Sequence, residues 1–257
     1  MVDACENPDN LAQVADLLRR RIAWEAENGC PGYVREERPV KEIVQIESRE
    51  LPGAAFGQSP APAADSNDEL LALQKEIGDC ARCDFSQQRH HLVFGEGAAN
   101  ARLVFVGEGP GRDEDLSGRP FVGAAGKLLD RIIAAINLER KDVYICNVVK
   151  CRPPNNRTPD EEERATCGPF LLAQLAIIKP EVVVALGATA TKFLLGTDDS
   201  LGRQRGRFHD VGGLKIMPTY HPAYLLRNPQ GKRAVWEDMQ KVAAALGLEV
   251  ATGKGRR

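Results

Sequence analysis

Residues 102–111 read RLVFVGEGPG: an apolar run that ends abruptly in a glycine- and proline-rich turn carrying one carboxylate, Glu108. A run of this kind, rich in bulky residues and without polar alternation, reads as a strand buried on both faces. Three more follow: Val143–Val149 (VYICNVV), Val182–Gly187 (VVVALG) and Lys215–Tyr220 (KIMPTY). Helical stretches separate them near Ala124–Ile136, Pro159–Ile178 and Ala188–Leu195, with a last one near Lys232–Leu246 and a short one, Asp68 to Gly78, ahead of the first run. This alternation predicts an α/β fold of three layers, α/β/α, around a central, mostly parallel four-stranded sheet.

Upstream the pattern changes. One amphipathic helix is expected over roughly Asn10 to Asn28, ended by Gly29, Pro31 and Gly32, and the Ala/Pro/Ser-rich stretch Pro52–Asn67 reads as a linker. The chain is therefore divided into an N-terminal helical extension with its linker (1–66) and a main domain (67–257). Among 257 residues, 43% are hydrophobic and 27% charged, which is ordinary for a globular protein. No apolar run approaches the ~18 residues a membrane helix needs, and the start MVDACENPDN lacks a basic leader. A cytoplasmic, monomeric protein without a membrane partner is expected. The net charge of −2 hides an asymmetry: residues 1–66 hold 7 basic and 12 acidic side chains, the remainder 27 basic and 24 acidic. A mildly basic main domain can engage phosphates locally, although charge alone does not suggest nucleic acid.

Every conspicuous polar motif follows the C-terminal end of a predicted strand: GEGPG (107–111), NVVKCRPPNNRTP (147–159) and HPAYLLRNP (221–229). In open α/β sheets that edge is where ligands bind. The glycine-rich loop is not a dinucleotide cradle. Pro110 removes an amide, Asp113, Glu114 and Asp115 would repel phosphate, and the next predicted helix begins only about thirteen residues later. It instead projects Glu108, with Phe121 of GRPFVG behind it as either core or an aromatic platform. Asn147, flanked by apolar residues, is either a satisfied buried amide or a donor–acceptor pair aimed at a ligand edge. Of four histidines, His221 alone has motif character; His90, His91 and His209 read as surface residues. Tyr224, Leu225 and Leu226 are unusually apolar for a loop, as in proteins that push a wedge into a base stack, with Arg227 and Lys232 placed to meet phosphates.

The cysteines add a second theme. Cys80 and Cys83 form a C-x2-C turn that can hold one metal atom or one corner of a cluster, and Cys151 and Cys167 are the best candidates to close the site. The alternative is a set of unrelated buried thiols, as Cys5, Cys30 and Cys146 are taken to be.

With these residues assembled, the stretch from about Leu70 to Leu246 resembles the family 4 (iron–sulfur) uracil-DNA glycosylases. The motifs GEGPG with GRPFVG, N-x3-CRPPNNRTP and HPAYLLR stand in that family's order and spacing. The resemblance implies a structural [4Fe-4S] cluster on Cys80, Cys83, Cys151 and Cys167. It implies that Phe121 stacks a flipped uracil and that Asn147 reads its edge, where O4 accepts and N3–H donates. His221 then donates to uracil O2, Glu108 positions water and stabilises the sugar cation, and Glu114 is a second carboxylate candidate. Gly109 occupies the place where other branches put a water-activating aspartate. The implied reaction is hydrolysis of the N-glycosidic bond of deoxyuridine in single- or double-stranded DNA, leaving an abasic site without strand cleavage. The implied DNA contacts are Leu225, Arg227 and Lys232.

Three departures stand out. Arg112 occupies a position where many relatives carry an acid, Gly111 replaces a bulky residue that excludes thymine's methyl in other branches, and residues 1–66 lie outside the family core. Two competing readings fail on the sequence. A covalently trapping uracil-DNA binder carries a basic, histidine-bearing insertion that CRPPNNRTPDEE lacks, and a redox module would not need Glu108, Phe121, Asn147 and His221 together. Zinc in place of the cluster stays physically open, since four thiolates suit both.

Overall fold

The computed structural model describes residues 63–250; the expected helix Asn10–Asn28, most of the linker, and Cys5 and Cys30 lie outside the described residues. In chain order the elements are α1 (Ala63–Ile77), β1 (Glu96–Gly97), β2 (Leu103–Gly107), α2 (Arg112–Ser117), α3 (Ala124–Ala135), β3 (Tyr144–Asn147), α4 (Glu161–Ile178), β4 (Val182–Leu186), α5 (Ala188–Leu195), α6 (Leu201–Gln204), β5 (His209–Val211), β6 (Leu214–Thr219), α7 (Pro222–Arg227) and α8 (Lys232–Ala245). The strands form one sheet in the order β1-β3-β2-β4-β6-β5.

The four expected strands are the parallel centre of that sheet. Gly107 pairs with Asn147, Leu103 with Val182, and Val182 with Lys215. Each central strand is buried on both faces, so neighbouring side chains enter different cores. Val104, Val106, Cys146, Val183, Ala185 and Ile216 join the core beneath α1 and α4. Leu103, Phe105, Ile145, Val184 and Met217 join the one beneath α3, α7 and α8. The α/β/α layering follows from this.

Four local readings are revised. The sheet has six strands, because β1 and β5 add short antiparallel edges. Both are too short and too polar to show as apolar runs; β5 and β6 form an antiparallel hairpin turning at Gly212 and Gly213. The acidic run after GEGPG, expected as a loop, is helix α2, with Asp113, Glu114 and Asp115 in its first turn, where the helix dipole favours them. HPAYLLR, also expected as a loop, is helix α7, with Pro222 at its first position. Finally, α1 begins at Ala63 and takes in the last residues of the expected linker. Among the described residues no helix is long and apolar enough to cross a membrane.

Candidate active site

The carboxyl ends of β2, β3, β4 and β6 open into one cleft of about 500 Å³. Its walls bring together Glu108, Gly109, Phe121, Asn147, His221 and Arg227, six residues singled out from widely separated motifs, with Glu114 also at its edge. The register explains the convergence: Gly107 ends β2 directly beside Asn147 at the end of β3, so the loops leaving both strands start from one point.

Asn147 is 1% exposed, and its Oδ1 is a buried acceptor without a partner. Buried polar atoms are rarely left so, and one that lines a cleft is a site prepared for a ligand donor. The backbone beneath it is fixed: the carbonyl of Asn147 accepts from Lys150 Nζ at 2.8 Å, and that nitrogen also donates to Gln174 Oε1. Gln174 in turn donates to the carbonyl of Phe94 and to the Tyr144 hydroxyl. Gly107 leaves room for the Asn147 side chain: its Cβ, if present, would stand 2.4 Å from Asn147 Oδ1 and 2.6 Å from Phe121 Cζ.

Phe121 is 6% exposed and holds a left-handed backbone, φ +51°, a conformation that costs a non-glycine residue on the order of 1–2 kcal/mol. Three groups hold it. Arg140 donates to the carbonyls of Pro120 and Phe121. Glu114 Oε1 accepts from the amides of Val122 and Gly123 while its Oε2 accepts from Gly111, tying both halves of the loop together. Gly126 lets the Phe121 carbonyl approach to where a Cβ would lie only 1.8 Å away. Glu114 therefore reaches the cleft edge with both oxygens engaged by backbone amides.

Glu108 is oriented from β4: the hydroxyl of Thr189, at the start of α5, donates to its Oε2. The imidazole of His221 lies 5.5 Å from the Phe121 ring, tilted by 33°. His221 Nδ1 accepts from the amide of Ala223 at 3.1 Å, capping α7. Burial pushes the His221 pKa down to about 4; Arg227 nearby acts in the same direction and Glu114 opposes it. The ring is thus neutral near pH 7, with its proton on Nε2.

Two expected DNA contacts are placed differently. Leu225 is only 1% exposed and packs in the core with Phe121 and Leu128, so its side chain is not presented at the surface as a wedge would be. The helical turn of α7 directs it inward and leaves Tyr224 (40%) and Leu226 (44%) outside. Lys232 is exposed but borders a separate, apolar groove beside Trp236 and not the cleft. His90 and His91 are exposed as expected, although both bond Asp115. His209, also read as a surface residue, is half-buried in β5. Neither Thr189 nor Arg140 stands out in sequence; Thr189 follows a strand end just as the three motifs do, and that position was its only signal.

The remaining cysteines assemble on the α1/α4 side. Cys80, Cys83, Cys151 and Cys167 all pack against one core. Burial pushes the Cys83 and Cys167 thiols up and the Cys151 thiol to about 12. Cys83 feels the charge of Cys80, Cys167 that of Cys83 and Cys80, and Cys151 that of Cys167 and Cys83. Sulfur acceptors face donors: Arg82 to Cys80 at 3.3 Å, the Lys150 amide to Cys167 at 3.2 Å, Arg89 to Cys151 at 3.5 Å. Among the described residues no three His, Cys, Asp or Glu side chains stand close enough to share one metal ion. Cys146 is a buried thiol of the sheet, as expected.

Residues 94–240 match the model of the uracil DNA glycosylase superfamily. A type-4 uracil-DNA glycosylase of Thermotoga maritima is 50% identical over 189 residues, covering 72% of this chain and 98% of that protein. Type-4 uracil-DNA glycosylases of Saccharolobus solfataricus (43% over 194 residues; 72% and 90%) and Archaeoglobus fulgidus (44% over 193 residues; 72% and 97%) are similarly related.

Proposed function

The chain belongs to the type-4 branch of the uracil DNA glycosylase superfamily, a hydrolase that removes uracil from DNA in repair, and from that premise we propose how its residues perform the reaction. The observation that carries the assignment is a partnerless Asn147 Oδ1 in the same cleft as a neutral His221. Oδ1 accepts from uracil N3–H and the amide nitrogen donates to O4; cytosine presents the reverse pattern. Phe121 stacks the base. The C1′–N1 bond breaks with its electron pair leaving on uracil, and His221 Nε2–H donates to O2 of the departing anion. Glu108, oriented by Thr189, stabilises the sugar cation and positions the water that adds to C1′ and surrenders a proton, giving free uracil and an abasic site.

Hydrolysis without strand cleavage is supported by the absence of a lysine amine among the described residues lining the cleft. Glu114 is assigned to positioning the Phe121 loop, because its oxygens already serve three amides. Arg227 meets a backbone phosphate, on single- or double-stranded DNA. The cleft is complete within one chain, which supports a monomer, and a cytoplasmic setting fits a DNA repair enzyme. The extent of the match supports residues 67–257 as the catalytic domain and 1–66 as an extension.

The donor set fits a [4Fe-4S] cluster better than one zinc ion. Cys151 and Cys167 both sense Cys83, and the sulfurs of Cys80, Cys151 and Cys167 meet N–H donors, yet among the described residues no three share a single-ion geometry. Cys80, Cys83, Cys151 and Cys167 would hold it, and the chemistry it supplies is structural cross-linking. The loop it would brace carries Arg157, which pairs with Glu163 and lies 5.2 Å over the Phe85 ring, two residues past Cys83.

The test is incubation with end-labelled oligonucleotides bearing one uracil. Alkali-dependent breakage at that uracil, lost in His221→Ala and Asn147→Ala, is expected. Wild-type protein that is folded and cluster-loaded yet leaves the DNA intact would overturn the assignment.

A further inference from the structure

Tyr224, read from the sequence with Leu225 and Leu226 as an apolar wedge, stands on the cleft rim with its ring supported from behind. On α7, Tyr224 and Arg227 are three residues apart and share the face that lines the cleft, whereas Leu225 turns into the core. Behind Tyr224 stands Tyr220, centroids 5.0 Å apart and tilted by 31°. The Arg205 guanidinium lies 5.0 Å from the Tyr220 centroid. Arg205 is itself fixed by Asp238, 1% exposed, through contacts of 2.7 and 2.8 Å. The edge of the pair is closed by Gly231, whose Cβ position lies 3.4 Å from the Tyr224 ring and 3.7 Å from that of Tyr220. A cation, a ring and a second ring are thus stacked outward from a buried carboxylate, and the stack ends at a ring 40% exposed at the cleft mouth.

An exposed aromatic of this kind is a preformed π surface that loses little freedom on binding. A cleft that receives one extracted nucleotide brings the next nucleotide of the same strand to its mouth. We propose that Tyr224 is the stacking platform for the nucleobase adjoining the extracted uracil, a sequence-tolerant subsite alongside the phosphate contact of Arg227. The inference rests on the uracil-DNA reading given above.

The test uses the full chain and single-stranded oligonucleotides containing 2′-fluoro-2′-deoxyuridine, whose fluorine disfavours the sugar cation and preserves the base. 5-Iododeoxycytidine is placed on its 5′ or its 3′ side. Irradiation is expected to cross-link one of the two positions to Tyr224, identified by mass spectrometry. Dissociation constants are expected to rise roughly tenfold in Tyr224→Ala and in Tyr224→Leu and to return in Tyr224→Phe. Cross-links formed only elsewhere, or Tyr224→Leu binding as tightly as wild type, would overturn the platform. Uracil release from ordinary substrate by the same wild-type preparation keeps the two ideas apart: its absence sinks the glycosylase reading, its presence with an unaffected Tyr224→Ala sinks this one.

Discussion

The amide of Ala223 donates to Nδ1 of His221 across 3.1 Å, and that one bond settles which ring nitrogen keeps the proton. An acceptor at Nδ1 leaves the donor at Nε2, which is the form needed to stabilise a departing uracil anion. The short helix α7 therefore begins with the residue whose tautomer matters most.

The pH profile should follow. With the His221 pKa lowered to about 4, the ring is neutral at every pH well above that value. Protonation would place a second proton on Nδ1 and break the Ala223 contact. Single-turnover uracil release is expected to vary little, about twofold, from pH 8 to 5 and to fall as pH drops through about 4. A loss centred near 6.5, the ordinary histidine value, would contradict this assignment.

At Asn147, activity and stability should part company. Asn147→Leu removes an acceptor that has no partner, so the melting temperature should hold or rise, by an amount equivalent to about 1 kcal/mol. Uracil release should fall by roughly two orders of magnitude or more, because the base edge loses both contacts. A variant that melts early and loses activity in proportion would show the amide to be structural.

Thr189→Val keeps the shape of the side chain and deletes the donor to Glu108. A drop of about tenfold in kcat with little change in KM is expected, and Thr189→Ser should recover most of it. An equal rise in KM would assign Thr189 to DNA binding.

The cysteine set can be tested by colour. Anaerobically purified protein should absorb near 400 nm, and Cys167→Ser should lose that absorbance together with protease resistance around Arg157. A colourless wild type carrying one zinc would overturn the cluster.

Much of this was legible in the chain because strands buried on both faces announce themselves as unbroken apolar runs, and because the motifs sit at the ends of those runs. Asn147 and His221 could be placed at one sheet edge for that reason alone. What escaped was whatever depends on which way a short helix turns. The centre of HPAYLLR, Ala223 to Leu226, reads as apolar throughout, yet one turn of α7 sends Leu225 inward and Tyr224 outward. Arg140 escaped because its role lies in bonds to the carbonyls of Pro120 and Phe121, and backbone acceptors leave no trace in sequence. The edge strands β1 and β5 escaped because pairing partners, and not their own residues, make them strands.

The left-handed turn at Phe121 is held from three separate places: Arg140 after α3, Glu114 in α2 and Gly126 within α3. None of these can let go without disturbing the layer it belongs to. The aromatic wall should therefore have no softer melting of its own. On heating, catalytic activity and overall secondary structure should disappear at the same temperature, and the enzyme should remain competent up to the threshold of denaturation.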